Sequence, residues 1–167
     1  IIMPINYPGE YVLLAKTLRQ QRVDFMASYS VLGGGFNFKF VEEMPQIAEN
    51  MIDVNHWYNP SSSSGQAMRK RTETDGKYFT FEVYCAYMSV MFLADGFERA
   101  GTTDKEAVNA ALSSSTLEVD FMPYGPTKMV NGQNMGSRAV AIQAQKGDVQ
   151  IIAPSSYASA NAIFPRS

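Results

Sequence analysis

An α/β fold is predicted by three features of the chain. The first 30 residues carry a strand, helix, strand pattern, residues 79–99 carry a long helix with one apolar side, and residues 138–153 alternate as two paired strands. The opening Ile1-Ile2-Met3-Pro4-Ile5 reads as the inside of a buried strand and lacks the charged start and cleavage site of a signal peptide. A chain that opens in mid-strand is expected to be the C-terminal portion of a longer protein, because such a strand needs neighbours for its backbone groups.

Asn6-Tyr7-Pro8-Gly9 is a turn signal, and Tyr11, Leu14, Ala15 and Leu18 then share one helical face, with Lys16, Arg19 and Gln20 off it. The helix is expected to end near Arg22. Val23, Phe25, Ala27 and Tyr29 alternate with Asp24, Met26 and Ser28, the period of a strand. The resulting βαβ unit makes a mostly parallel sheet and places loops 6–9 and 30–37 at the carboxyl ends of its strands, where open α/β sheets bind ligands. Gly33-Gly34-Gly35 in the second loop permits close backbone approach to a ligand, either as a cleft wall or as a plain turn into a helix over residues 39–43. It is no phosphate loop, since no Gly-Lys-Ser/Thr follows.

Residues 51–58 look like another strand, and the Asn-Pro-Ser-rich stretch 59–65 has the composition of a linker at which the chain changes lobe. Residues 67–74 form a short polar helix whose Arg69-Lys70-Arg71 run is a solvated face. The helix over 79–99 has Val83, Tyr87, Met91 and Ala94 on one side and stops at Gly101, a left-handed C-cap. Thr103-Asp104-Lys105-Glu106 reads as a capping box with Thr103 at the N-cap, opening a helix to about Leu112. Asn131-Gly132 separates strand-like pieces, and Lys146-Gly147-Asp148 joins the two arms of the last hairpin.

Composition narrows the function. Fourteen basic against sixteen acidic residues leave a net charge of −2 with no basic face, which excludes a nucleic-acid partner. The longest apolar run, near residues 83–94, falls short of the roughly 20 residues that span a bilayer. One cysteine, Cys85, and one histidine, His56, leave no multi-cysteine metal site and few catalytic constellations. No Gly-x-Ser-x-Gly elbow is present, so neither catalysis, nor a metal, nor a cofactor is expected. Cys85, on the apolar helix, reads as an inert packed thiol.

Tyr7-Pro8-Gly9-Glu10 opening a helix, Gly33-Gly34-Gly35-Phe36-Asn37 after the next strand, and the 84–100 helix leading into the Gly101 to Leu112 segment are similar to type I periplasmic binding proteins. The branched-chain amino-acid-binding group of ABC transporters is the nearest resemblance, and Asn131-Gly132-Gln133-Asn134, Lys146-Gly147-Asp148 and Ile151-Ile152-Ala153-Pro154 resemble its last strands. The resemblance implies a bilobal clamp of two three-layer αβα lobes with only the C-terminal part present. Residues 1–58 belong to the second lobe, 59–130 to a returning segment of the first, and 131–167 cross back. It also implies a solute-binding protein in the periplasm, or lipid-anchored outside the cell membrane. Its partners would be a small-molecule solute, an ABC transporter membrane permease and the missing N-terminal part.

By that resemblance Tyr7, with Asn6 beside it, matches an aromatic residue set against the ligand. Gly33 or a neighbour, with Gly34 and Phe36, stands where the family commonly has an acidic residue for a ligand ammonium group. A carboxylate, amide or aromatic acid is therefore as plausible a ligand as an amino acid. His56 and Trp57 stand just before the linker-like stretch; a lone histidine beside an aromatic is more often structural, and Trp57 is carried as a candidate contact. The competing readings are a ligand-sensing domain of a receptor or regulator with the same fold, and, more weakly, an α/β hydrolase fragment.

Overall fold

The computed structural model describes residues 1–32 and 39–166. Its first extended stretch is one parallel bridge rather than a buried strand. Ile2 pairs with Ser28, its N–H donating to the Ala27 carbonyl at 2.9 Å and its own carbonyl accepting from Tyr29 at 2.9 Å. Ile1, Met3 and Ile5 on either side are exposed, because no described strand flanks them on the other edge. Helix α1 (Pro8–Gln20) follows, with proline at its first position, where a missing N–H costs nothing. The Tyr7 N–H donates to the Glu10 carboxylate at 3.0 Å. Tyr11 and Ala15 are its buried residues.

The expected strand over residues 23–29 is displaced toward the C-terminus. Arg22 turns the chain at φ 51, Val23 and Met26 are exposed, and strand β1 is Tyr29–Val31. The apolar alternation of 23–27 belongs to a return segment whose Phe25 packs against the core without pairing. Two short helices, α2 (Lys39–Glu43) and α3 (Pro45–Ala48), lead to strand β2 (Ile52–Asn55), parallel to β1 in the register Ser30 to Asp53.

The serine-rich stretch is a helix start rather than a linker. Helix α4 (Ser63–Thr74) begins inside it, Ser62 Oγ accepts from the Gly65 N–H at 2.9 Å, and the Ser62 and Ser64 hydroxyls both donate to the Asp120 carboxylate. Helix α5 (Phe81–Ala100) is closed by Gly101 at φ 64, whose N–H donates to the Phe97 carbonyl. Helix α6 (Lys105–Ser113) has Asp104, not Thr103, at its N-cap: one carboxylate oxygen accepts from Glu106 and Ala107. A carboxylate meets the positive end of a helix better than a hydroxyl does. Asp104→Ala is expected to cost about 1 kcal/mol in a denaturation experiment, against nearly nothing for Thr103→Ala.

Strands β3 (Met129–Val130) and β4 (Gln133–Asn134) close a small hairpin through Asn131 at φ 49 and Gly132 at φ 78. Strands β5 (Val140–Gln145) and β6 (Asp148–Ala153) do the same through Lys146 and Gly147, at φ 57 and 77. Two consecutive left-handed residues match the twist of paired strands. The main sheet has the order β1-β2-β5-β6 and is mixed: β1 and β2 run parallel, whereas β5 is antiparallel to both β2 and β6. Parallel character is thus confined to one side of the sheet. Tyr11, Met51, Ile142 and Ile151 are its fully buried centre, and α4 to α6 with the small hairpin intervene between β2 and β5.

Candidate functional site

The parallel strands fix which edge of the sheet is the ligand edge. The chain leaves the Ile2 bridge toward Tyr7, leaves β1 at Leu32 and leaves β2 at His56, all at one end, and the antiparallel β5 enters there because Val140 pairs with Asn55. In α/β sheets this carboxyl end is the binding end. A cavity of about 350 Å³ lies there, walled by His56 on one side, by Tyr84, Met88 and Phe92 of α5, and by Tyr124 and Ser137.

His56 is positioned by a buried polar row. Asp53, with no exposed surface, accepts from Ser30 Oγ at 2.9 Å and from Asn55 Nδ2 at 3.0 Å, and Asn55 Oδ1 in turn accepts from the His56 N–H at 2.8 Å. Buried polar groups so satisfied hold one geometry. On the facing side Ser137 Oγ donates to the Tyr124 hydroxyl at 3.0 Å, and the Tyr124 and Tyr84 hydroxyls lie 3.1 Å apart. The Ser137, Tyr124 and Tyr84 hydroxyls thus form one row of neutral polar groups on this wall. Burial first, and the Tyr124 hydroxyl second, push the Tyr84 phenol well above its ordinary value, so it stays neutral. The Cys85 thiol is pushed up by burial and by Glu82, and remains a neutral part of the wall. Among the described residues no Lys, Arg, Asp or Glu side chain lines this cavity.

The expected site residues fare differently. Tyr7 is 81% exposed at the start of α1, standing free at the ligand edge. Asn6 Oδ1 is buried and has no donor among the described residues. Gly33, Gly34 and Phe36 lie outside the described residues. Trp57 lies in the core: it is 4% exposed, with its ring 5.7 Å from Tyr58 and 5.5 Å from Phe79. His56, its neighbour, takes the cavity position instead. Strand alternation accounts for the exchange, since Asp53, Asn55 and Trp57 turn inward and leave residue 56 for the other face. Tyr84, Tyr124 and Ser137 carried no signal in sequence, because their hydroxyls meet across 40 and 13 residues of chain. Among the described residues no group of three or more His, Cys, Asp or Glu could hold a metal ion.

Comparison with known proteins agrees with this architecture. The family model described as periplasmic binding protein matches residues 1–149. A search of curated proteins finds no match. Among solved structures, a leucine binding protein from Thermotoga maritima is 22% identical with a TM-score of 0.70, over 91% of this chain and 43% of that one. A branched-chain amino acid transporter substrate binding protein from Streptococcus pneumoniae, in complex with isoleucine, is 16% identical with a TM-score of 0.73, over 98% of this chain and 44% of that one. An ABC transporter solute binding protein from R. palustris, in complex with benzoate, is 14% identical with a TM-score of 0.73, over 96% and 44%. The chain therefore spans less than half the length of each. Family and neighbours are solute-binding proteins, not enzymes. The family implies an extracytoplasmic location, and among the described residues no helix is long and apolar enough to cross a membrane. With the type I fold recurring in these structures and the family's pattern running through residues 1–149, the chain belongs to the periplasmic binding proteins.

Proposed function

We propose that the chain is part of the solute-binding component of an ABC importer, periplasmic or lipid-anchored outside the membrane, which captures a small organic or aromatic acid, an amide or an amino acid. In this reading residues 1–58 and 131–167 form one lobe, and 59–130 return to a second lobe completed by an N-terminal part of the protein. A row of apolar side chains on α5 supports it: Tyr87, Val90, Leu93 and Phe97 are all exposed at helical spacing, as a face made to be covered would be. A membrane permease receives the solute, and closure is a hinge motion driven by contacts made only in the closed state.

The observation that carries the reading is the cavity at the carboxyl end of the sheet, largely apolar in its walls and lined by the Tyr84, Tyr124 and Ser137 row. Neutral hydroxyls beside methionine and phenylalanine suit a polar group on an apolar body. The lack of an acidic side chain in its lining among the described residues favours an acid or amide over an amino acid, whose ammonium group would go unpaired there. Tyr7 closes over the solute from outside. Calorimetry on the intact protein, with solutes first identified by mass spectrometry of what co-purifies, tests this. Tyr7→Ala is expected to weaken binding by about 1–2 kcal/mol while leaving the melting temperature in place, since Tyr7 contributes little to the core. Unchanged affinity removes Tyr7 from the site, and no binding of acids, amides or amino acids by the intact protein removes the function.

A further inference from the structure

The opposite edge of the sheet carries a second pocket, of about 290 Å³, with a contrasting lining. Arg19 from the last turn of α1, Arg22 just beyond it, and Arg166 from the C-terminal tail all reach it, and Asp24 is its one carboxylate. Three guanidiniums against one carboxylate leave a surplus of two positive charges in one concavity. Among the described residues no carboxylate stands in an ion pair with any of the three, although Arg69, Arg71 and Arg99 elsewhere all have one. The negative end of α1 amounts to about half a charge and accounts for one arginine, not three.

Arg166 is held where an anion would use it. Its backbone N–H donates to the Met26 carbonyl at 2.7 Å, its Nη2 donates to the Ile47 carbonyl at 2.9 Å, and its guanidinium sits 4.8 Å over the Phe25 ring. Its Nη1 is buried and has no acceptor among the described residues. Such a donor is costly to leave unpaired. Burial lowers the Arg166 pKa and the like charge of Arg19 adds to this, while Tyr11 and the Glu49 carboxylate act against it. Arg19 Nη1 is already committed to the Gln46 carbonyl, which fixes the plane of its fork.

We propose that this pocket binds an oxyanion of the phosphate type, as a free anion or small phosphate ester in solution, with Arg19, Arg22 and Arg166 as its ligands. A planar fork with several N–H donors matches tetrahedral oxyanions, and a rigid one discriminates them from chloride. The pocket lies at the amino end of β1, away from the solute cavity at the carboxyl end, so the site stands independently of the proposed import function.

Titration of the intact protein with inorganic phosphate at low ionic strength, followed by calorimetry against a sodium chloride control, tests the proposal. Saturable binding with a dissociation constant at or below about 1 mM is expected. Arg166→Gln is expected to weaken it at least tenfold. Because Arg166 also ties down the tail, Arg22→Gln is the second variant; its side chain is exposed and makes no hydrogen bond among the described residues, and a loss of threefold or more with an unchanged melting temperature is expected. Heat no larger than with chloride, or wild-type phosphate affinity in both variants, overturns the site. Co-sedimentation with phosphatidylglycerol vesicles, lost in Arg22→Gln and unaccompanied by phosphate binding, overturns the soluble ligand in favour of a lipid headgroup.

Discussion

Gln143→Leu is expected to lower the stability of the fold by about 3–5 kcal/mol, although leucine and glutamine are close in volume and no cavity is created. Gln143 has no exposed surface in the middle of β5. Its Nε2 donates to the Asn50 carbonyl at 3.1 Å and to the Ile163 carbonyl at 2.9 Å, while its Oε1 accepts from the Ile163 N–H at 2.9 Å and from Gln145 Nε2 at 2.8 Å. Leucine leaves all four partners without their bond. The Asn50 carbonyl has no route to water, whereas the Ile163 groups regain water if the tail lifts away, and that release bounds the loss below the sum of four buried defects. The tail is the part that responds. It is tied to the sheet by Gln143, by Gln145 to the Asn161 carbonyl, and by Ser159 Oγ to the Ile151 N–H. Urea denaturation reads the stability loss, and limited proteolysis reads earlier cleavage within residues 159–166. A midpoint within 1 kcal/mol of wild type would show the tail to be dispensable.

Elements with a local cause were legible in the sequence. The α5 helix ends at the glycine expected of it, and both hairpins turn at the Asn131-Gly132 and Lys146-Gly147 pairs, because a left-handed backbone is a property of two adjacent residues. Elements fixed at a distance were read less well. The alternation of Val23 to Tyr29 is a sound strand pattern, but the pairing partner of β1 is β2, whose Ile52 to Val54 set the register and leave 23–26 outside it. Ser61 to Ser64 has a linker's composition, and Ser62 caps the Gly65 N–H there while Asp120, far along the chain, holds the Ser62 and Ser64 hydroxyls in place. Parallel strands next to an antiparallel hairpin also follow from β5 returning beside β2, a choice no local period records.

The same division runs through the candidate site. Tyr7 and Asn6 were read as candidates because they open a helix at the end of an extended segment, a local pattern, and both stand at that opening. Trp57 was preferred to His56 on residue type, when the period of the strand assigns them to opposite faces and the aromatic neighbours Tyr58 and Phe79 are what draw the indole inward. The hydroxyl row of Ser137, Tyr124 and Tyr84 joins three segments of chain, so no single stretch of sequence could have shown it.

That row depends on a close approach which a single methyl group would break. Gly136→Ala is expected to destabilise the fold by about 3 kcal/mol and to weaken solute binding at least tenfold. A Cβ at this position would lie 2.3 Å from the Pro126 carbonyl oxygen and 3.1 Å from the Lys128 nitrogen, both backbone atoms that cannot rotate aside. The two strands of chain are also locked face to face: Asn134 Oδ1 accepts from the Gly136 and Lys128 N–H groups at 3.0 Å each, and the Met135 N–H donates to the Lys128 carbonyl at 2.8 Å. Relief of the clash must therefore separate residues 126–128 from 134–136. Thr127, Met129, Asn134 and Ser137 ride on these segments and form one wall of the cavity, so the displacement reaches the site directly. Gly125→Ala is the control, since a Cβ there meets nothing within 4 Å, and its stability and affinity are expected to stay near wild type. Equal behaviour of the two variants in thermal denaturation would mean that the contact between the segments yields freely. A Gly136→Ala protein that loses stability while keeping its affinity would instead detach the hairpin wall from solute binding, and leave the β2 side, with His56, as the surface that holds the ligand.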